Sequence, residues 1–373
     1  MWATQAGGDS LGDKSYGENI AVDINGNVLI TGEFRGKSTF GDTTFNTESG
    51  YHMFLAKYDS DGRSLWAVKG GGYGDSVGFG VAVDKKGSIY LTGCFDESAK
   101  FGTIELIGGE RGNSMFLIKY NEYGETLWSV RAISTVSAGG HDLVVDRNGD
   151  ICLIGHFYGT VDFAHSSLAS LSSNTDGDTF IAKYDSLGKE IWVKKMGSTV
   201  EIGGSSLCVD SDDNIIITGH FKGTVTFGPD VLVSSGIYYD MFLAKCDSLG
   251  NEIWAIKPTK TTEAGGSGVV ADSNSNVYVT GHFYDTITFG EASFKSSGLN
   301  DMFLIKFDEF GQIEWAVKGG GKGADNGDAI GLDRNEIIYI MGGFTKGATF
   351  GTTILDTKER GNLYLAKYRQ KSS

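Results

Sequence analysis

The sequence predicts an all-β protein, a six-bladed β-propeller, and three observations lead to that prediction. The composition suits short strands joined by Gly-bearing turns, with 56 Gly, 22 Phe and 16 Tyr but only 2 Pro. One motif recurs six times along the 373 residues. The first residues resemble the last strand of that motif, which the sixth copy lacks. Repeated sheets with such a split copy predict a closed ring.

The repeat is about sixty residues long and carries the same residue types at the same places. Each copy has a Trp that begins an apolar strand: Trp2, Trp66, Trp128, Trp192, Trp254 and Trp315. An Asp ends another apolar run: Asp23, Asp84, Asp146, Asp210, Asp272 and Asp333. A Lys lies in a third run: Lys57, Lys119, Lys183, Lys245, Lys306 and Lys367.

Four strands per repeat are predicted from the apolar runs and the turns between them. In the fifth copy the runs are 269–272, 276–283, 301–308 and 313–321, separated by Asn-, Ser- and Gly-rich turns. The surplus between strands two and three predicts an extra hairpin. We predict one propeller domain with repeats at about 20–80, 81–142, 143–206, 207–268, 269–329, and 330–373 combined with 1–19.

Closure of the ring is predicted from the two ends of the chain. Residues 1–8 match residues 65–72, a fourth strand, whereas the last copy stops after its third strand. The N-terminal strand is therefore expected to complete the sixth blade. Because the chain begins within a strand, we expect that a leader has been removed.

Charge and composition exclude several classes of function. A net charge of −15 disfavours nucleic acid, which selects basic surfaces. No apolar run reaches the roughly 20 residues that span a bilayer. The four cysteines, Cys94, Cys152, Cys208 and Cys246, lack metal-ligand spacing and are interpreted as free and buried.

Residues present in all six copies are interpreted as structural. We expect each Asp to bond backbone amides in a turn, each Trp to pack between blades, and each Lys to find a charge or carbonyl partner. Two alternatives remain open. Sugar could stack on the Trp rings, and the Asp turns weakly resemble calcium loops, although they lack the Gly and Glu of such loops.

Candidate binding residues are those that differ between copies. Ahead of strand one these are Glu18, Asn19, His141, Asp142 and Asp328, and the position after the strand-two Gly supplies Glu33, His156, His220 and His282. Tyr73 stands in a nearby link. Glu18, Asp142 and Asp328 are expected to converge at the mouth of a central channel. Neighbouring sheets lie about 10 Å apart, so equivalent histidines are not expected to share a metal.

The strands GVAVDKKGSIYLTG, MFLAKYDSDGRSLWAVKGGG and VVADSNSNVYVTG resemble the bacterial SBBP family of β-propeller repeats. The resemblance covers essentially the whole chain. It implies a propeller that is secreted or attached to the cell surface, and it implies no particular reaction.

These observations favour a non-catalytic binding module of a secreted or cell-surface bacterial protein. We expect a monomer that recognises a protein or a carbohydrate through its loop-rich face, without a cofactor. The alternative is a hydrolase or lyase at the channel mouth, with or without the assistance of a metal. In that enzyme Asp142, Asp328 or Glu18 acts as acid or base and His141 assists.

Overall fold

The computed structural model describes residues 3–8, 10, 12–170, 177–356 and 361–369. Every regular element within those ranges is a β-strand, apart from turns and bends, which confirms the predicted all-β class. The chain packs as two compact units, residues 1–195 and 196–373. The first holds repeats one to three and the second holds repeats four to six.

The described part of the first unit contains nineteen strands. The short β1 (Ala6–Gly7) precedes repeat one and pairs with its extra hairpin. Repeat one has β2 (Lys14–Val22), β3 (Val28–Arg35), β4 (Lys37–Phe40), β5 (Thr43–Asn46), β6 (His52–Tyr58) and β7 (Ser64–Gly71). Repeat two has β8 (Ser76–Val83), β9 (Ile89–Phe95), β10 (Ser98–Phe101), β11 (Ile104–Ile107), β12 (Ser114–Tyr120) and β13 (Thr126–Ser134). Repeat three has β14 (Ser137–Val145), β15 (Ile151–Tyr158), β16 (Thr160–Asp162), β17 (Ser167–Ala169), β18 (Asp178–Tyr184) and β19 (Glu190–Met196).

The second unit continues the pattern. Repeat four has β20 (Glu201–Val209), β21 (Ile215–Lys222), β22 (Thr224–Phe227), β23 (Asp230–Val233), β24 (Asp240–Cys246) and β25 (Glu252–Ile256). Repeat five has β26 (Lys260–Ala271), β27 (Val277–Phe289), β28 (Ala292–Phe307) and β29 (Ile313–Gly321). Repeat six has β30 (Ala329–Leu332), β31 (Ile338–Phe344), β32 (Ala348–Phe350), β33 (Thr353–Leu355) and β34 (Asn362–Tyr368).

Strands one to four of a repeat pair in sequence order as an antiparallel sheet. The sheets are β2-β3-β6-β7, β8-β9-β12-β13, β14-β15-β18-β19, β20-β21-β24-β25 and β26-β27-β28-β29. In repeat six the described residues form the three-stranded sheet β30-β31-β34. Trp2, which was expected to begin the missing strand, lies outside the described residues. The count of six blades and the closure of the ring therefore stay predictions.

The extra hairpin between strands two and three is present, and it pairs with the repeat that precedes it. Strand β10 pairs with β7, placing Phe101 opposite Gly70, and β16 pairs with β13 in the same manner. A Cβ atom added to Gly70 would overlap the Phe101 ring, so the close approach requires glycine. The hairpin thus ties two neighbouring sheets together.

The hydrophobic core lies between neighbouring sheets. One cluster joins Leu29 and Leu55 of repeat one to Leu91, Phe116 and Ile118 of repeat two, all with no exposed surface. Strands two and three of repeat two are apolar on both faces because that sheet is covered on both sides, as propeller sheets are. In repeat six, by contrast, Leu363 and Leu365 of strand three are exposed. Cys94, Cys152 and Cys246 are buried thiols, as predicted, whereas the thiol of Cys208 is only half-buried.

The repeated Asp holds the turn between strands one and two. In repeat three, Asp146 Oδ1 accepts hydrogen bonds of 2.9 Å from the backbone N–H groups of Asn148 and Asp150. The corresponding pair of bonds recurs at the other five aspartates. The structural interpretation of these residues is confirmed.

The repeated Lys meets that Asp directly in three repeats. The ammonium lies 3.0 Å from the carboxylate in the Lys57–Asp23 pair and 2.8 Å in the Lys183–Asp146 pair. Lys245 and Asp210 are likewise 2.8 Å apart. All three lysines are almost fully buried, so the predicted charge partner is confirmed in these repeats.

The other three repeats carry a Tyr at the second position of strand two, and the Lys is placed differently. The Tyr hydroxyl donates to the Asp carboxylate in the pairs Tyr90–Asp84, Tyr278–Asp272 and Tyr339–Asp333. The Lys ammonium lies over the Tyr ring at 5.0, 5.6 and 5.3 Å for Lys119, Lys306 and Lys367. Lys119 also donates to the carbonyl oxygen of Ser186 at 3.0 Å, and Lys306 forms a 2.8 Å ion pair with Glu314. The expected charge or carbonyl partner is therefore confirmed for these two lysines, although the phenol takes the place of the ammonium at the Asp.

The repeated Trp packs against the next repeat. Trp66 Nε1 donates to the carbonyl oxygen of Glu122 at 2.9 Å, and Trp128 Nε1 donates to that of Ser186 at 3.2 Å. Both carbonyls lie in the turn between strands three and four of the next repeat. Gly188 in that turn has φ +83° and packs on the Trp128 indole, where a Cβ would lie 3.0 Å away. The predicted position of Trp between sheets is confirmed for these residues.

Candidate binding face

Each sheet has two chemically different ends. The links between repeats and the extra hairpins lie at one end, which we call the link end. The turns between strands one and two and between strands three and four lie at the other, the turn end. The ten predicted site residues lie in strand one, directly before it, after the strand-two Gly or in a link. Strand one begins earlier than predicted in repeats one and three, so Glu18–Asn19 and His141–Asp142 lie within β2 and β14 and not ahead of them.

Strand one contains a β-bulge near the link end. Where β14 pairs with β15 the register shifts between Gly140 and Asp142, so His141 is the extra residue. The same shift occurs in the first five repeats, with Glu18, Phe79, His141, Ser205 and Ser267 as the extra residues. Asp328 holds this place in repeat six, immediately before β30. A bulge changes the direction of its extra side chain, so this position is suited to a binding site.

The bulge follows a Gly at which strand one touches the preceding sheet. A Cβ added to Gly140 would overlap Thr92 Oγ1, and one added to Gly266 would overlap Thr218 Oγ1. Both threonines are fully buried and donate to carbonyl oxygens of their own sheets. Glycine therefore lets the sheets approach here, and the bulge residue emerges beside the contact.

The residue after the strand-two Gly completes what we call the bulge pair of each repeat. The pairs are Glu18/Glu33, Phe79/Cys94, His141/His156, Ser205/His220, Ser267/His282 and Asp328/Gly343. Both positions can be recognised in the sequence because they vary between repeats. Their proximity cannot be predicted, since nothing in the sequence marks the bulge that brings them together.

The His141/His156 pair is in direct contact. His141 Nε2 and His156 Nδ1 are 2.7 Å apart, and the two rings have centroids 4.6 Å apart. The Phe79 ring lies 5.8 Å from that of His141, and the Tyr158 ring 5.6 Å from that of His156. Burial and the neighbouring imidazole lower the pKa of His156 to about 3. His156 is therefore neutral at physiological pH.

The Phe79–His141 contact corrects one expectation. Equivalent positions of neighbouring repeats were expected to lie at least about 10 Å apart. These bulge residues come from repeats two and three, yet their rings are in contact at 5.8 Å. The mean spacing of sheets does not apply where a strand-one Gly removes the side chain between them.

The Glu18/Glu33 pair is acidic and has raised proton affinity. Burial raises the pKa of Glu18. Burial, followed by repulsion from Glu18 and Asp75, raises the pKa of Glu33. Burial, with the carboxylates of Glu33, Asp75 and Asp96 nearby, raises the pKa of the Cys94 thiol to about 12. This part of the first unit is an acidic surface next to a protonated thiol.

The second unit presents a different set of groups. The Tyr239 hydroxyl donates to Glu201 at 2.6 Å, and its ring meets that of His220 edge to face at 5.0 Å. Burial lowers the pKa of His282, and the carboxylates of Glu263 and Asp328 oppose that shift. The carboxyl of Asp328 accepts a 3.2 Å hydrogen bond from Gly343 N–H, and burial raises its pKa.

Three predicted residues have other surroundings. Asn19 and Asp142 follow the bulge, and each side chain accepts a hydrogen bond from the next backbone N–H, at 2.7 and 2.9 Å. Tyr73 is 86% exposed in the link before repeat two. Glu18 and Asp142 belong to the first unit and Asp328 to the second, so their convergence stays a prediction.

Within the described ranges, no three His, Cys, Asp or Glu side chains are grouped so as to hold a metal ion. Across the same residues, no helix has the length and hydrophobicity needed to cross a membrane.

Comparison with known proteins supports the β-propeller repeat. Residues 2–33 match the SBBP β-propeller repeat, and this stretch contains Glu18, Asn19 and Glu33. The chain is 24% identical over 408 residues to an uncharacterised WD repeat-containing protein of Acanthamoeba polyphaga mimivirus. The alignment covers 88% of this chain and 29% of that protein. This relative is viral, so a bacterial source stays an expectation of the resemblance.

Two further comparisons are more distant. The regulatory protein FlaEY of Caulobacter vibrioides is 27% identical over 133 residues, covering 35% of this chain and 14% of that protein. The chain thus spans less than a third of the length of the curated relatives it matches. A protein of unknown function from Bacteroides caccae has a crystal structure that aligns over 82% of each chain, with 8% identity and a TM-score of 0.42.

Proposed function

We propose that this chain is a non-catalytic interaction module that binds a protein through the link end of its sheets. The observation that carries the proposal is the contrast within each repeat. The turn end uses the same Asp turn in all six repeats, whereas the bulge pairs at the link end take five different forms. A residue type repeated six times serves the fold, so the varied positions are where recognition can be specific.

The exposed aromatic residues around the bulge pairs support a protein partner. Tyr16 and Tyr73 are exposed in the first unit, and Tyr238 and Tyr284 in the second. Tyrosine is enriched in protein-binding surfaces because it offers a rigid apolar ring and a hydroxyl group. The WD repeat-containing relative is consistent with an interaction role. The resemblance to SBBP repeats favours a secreted or cell-surface location, and a carbohydrate is the alternative ligand.

A capture experiment with the full chain tests this proposal. The bait is wild-type protein, the variant Tyr73→Ser at the link end, or the variant Leu187→Ser at the turn end, where Leu187 is 79% exposed. Crosslinking and mass spectrometry of extracellular and surface fractions should identify a protein that wild type and Leu187→Ser retain and Tyr73→Ser loses. Equal capture by all three, or loss only with Leu187→Ser, would contradict the proposal. Binding on a glycan array without protein capture would assign a carbohydrate instead.

An enzyme remains the second candidate because of Asp328. Burial raises the pKa of this carboxyl, and His282 is its electrostatic neighbour, an arrangement suited to acid–base catalysis. A hydrolase or lyase would lose turnover in Asp328→Asn while its substrate affinity stayed within a few-fold of wild type. Screening glycosidic and ester substrates with wild type and Asp328→Asn distinguishes an enzyme from a binding module.

A further inference from the structure

The bulge pair of repeat three differs from the other five, because two imidazole nitrogens face each other. His141 Nε2 and His156 Nδ1 are 2.7 Å apart, and the rings are inclined by 40°. One nitrogen must donate and the other accept, so the two ring nitrogens point at each other between β14 and β15. The edge-on rings of Phe79 and Tyr158 flank the pair.

Imidazole nitrogens are ligands that zinc, copper and nickel favour. A metal–nitrogen bond of 2.0 to 2.1 Å places two nitrogens about 2.9 Å apart at a right angle and about 3.3 Å apart at a tetrahedral angle. The nitrogens would therefore separate by only a few tenths of an ångström from the observed 2.7 Å. The donating ring would move its proton to its other nitrogen, so neutral rings release no net proton.

We propose that His141 and His156 form a two-imidazole site for a divalent transition metal of the zinc, copper and nickel class. Water completes the coordination. The site is independent of the proposed protein partner.

Cys94 lies near the pair but is not assigned as a ligand. A Cβ added to Gly139 would lie 2.9 Å from His156 Cε1 and 3.4 Å from Cys94 Cβ, so both residues border the same space. Burial and three neighbouring carboxylates raise the pKa of the Cys94 thiol to about 12. The assignment rests on the two imidazole nitrogens, which lie 2.7 Å apart.

Another repeat supplies a matched control. Repeat five has Ser267 at the bulge and His282 after the strand-two Gly, on the same strand positions as His141 and His156. The variant His141→Ser gives repeat three the pair that repeat five already has, and a bulge accommodates serine there. His282→Gln removes a histidine from the equivalent position without touching the proposed site.

Copper(II) supplied as its glycine complex is the probe, since glycine competes with weak binding to the acidic surface of the full chain. We expect one copper bound per chain, with an electron paramagnetic resonance spectrum that shows two equatorial imidazole nitrogens. His141→Ser and His156→Gln should each weaken binding by about tenfold or more, since even outer-shell changes cost that much at metal sites. His282→Gln should bind as wild type does.

Three results would overturn the assignment. These are an absence of copper binding by wild type, equal affinity of wild type and His141→Ser, and a thiolate-to-copper charge-transfer band showing that Cys94 is a third ligand. Circular dichroism of each variant confirms that it is folded before the titration. Capture of a protein partner by the metal-free chain would leave the proposed function intact whatever the copper result.

Discussion

The turn end and the link end of these sheets are built by different rules. At the turn end, an Asp with the same two backbone hydrogen bonds closes the first turn in all six repeats. At the link end, the bulge presents a carboxylate, a phenyl ring, an imidazole or a hydroxyl. The difference teaches that repetition marks the residues on which folding depends, and variation marks those that are free to acquire a function.

The largest effect is expected from Asp146→Ala at the turn end. The substitution removes two backbone hydrogen bonds and leaves the buried ammonium of Lys183 without the carboxylate 2.8 Å away. Breaking a buried pair from one side costs about 3 to 5 kcal/mol. Urea denaturation followed by circular dichroism measures the loss. A cost below about 1 kcal/mol, typical of a surface position, would contradict the structural role.

The second effect concerns pH and the link end. Because burial lowers the folded-state pKa of His156 to about 3, the unfolded chain binds more protons between that value and its ordinary pKa. Stability is therefore complete above the ordinary pKa of about 6.5 and is lost as pH falls, by about 2 kcal/mol at pH 5.

The control for this effect is His156→Gln, which cannot titrate. Denaturation of wild type and variant at pH 5 and pH 7 isolates the histidine from the carboxylates that also titrate on acidification. If both proteins lost the same stability, burial of the imidazole would not govern the response.

A smaller effect should distinguish the repeats in which the Lys pairs with the Asp from those in which it lies over a Tyr ring. Lys119 lies over the Tyr90 ring, and Asp84 has the Tyr90 hydroxyl as a partner. Lys119→Met should then cost about 1 to 2 kcal/mol, because it removes the cation–π contact and a 3.0 Å hydrogen bond to the carbonyl oxygen of Ser186. Lys57→Met leaves the buried Asp23 carboxylate without its ion pair and should cost about 3 kcal/mol or more. Equal destabilisation of the two variants in urea would show that the Tyr does not replace the ion pair.

The smallest effect on stability is expected at Tyr73. This side chain is exposed in a link, so Tyr73→Ser should change the free energy of unfolding by less than about 0.5 kcal/mol. The same variant is expected to lose the captured partner. Destabilisation by more than about 1 kcal/mol would place Tyr73 among the residues that fold the chain and would weaken its assignment to the binding face.

Structural roles could be predicted from the sequence best where one repeat could be compared with five others. The Asp turns, the extra hairpin, the buried Lys and the Trp between sheets are all local consequences of a pattern that recurs. The Tyr at positions 90, 278 and 339 was visible in the sequence, but its effect on the Lys depends on a contact between two strands. A second set of ion pairs was also missed, for example Lys257 with the fully buried Asp240 at 3.0 Å.

The sequence by itself determined the fold class, the length of the repeat, the strands of each sheet and the set of positions that vary. Those properties follow from hydrophobic periodicity and turn chemistry, which act over a few residues. Only the tertiary structure decided that the hairpin pairs with the preceding repeat and that His141 meets His156 at 2.7 Å. Both depend on register and on a bulge, because one extra residue redirects a side chain without leaving a distinct mark in the sequence.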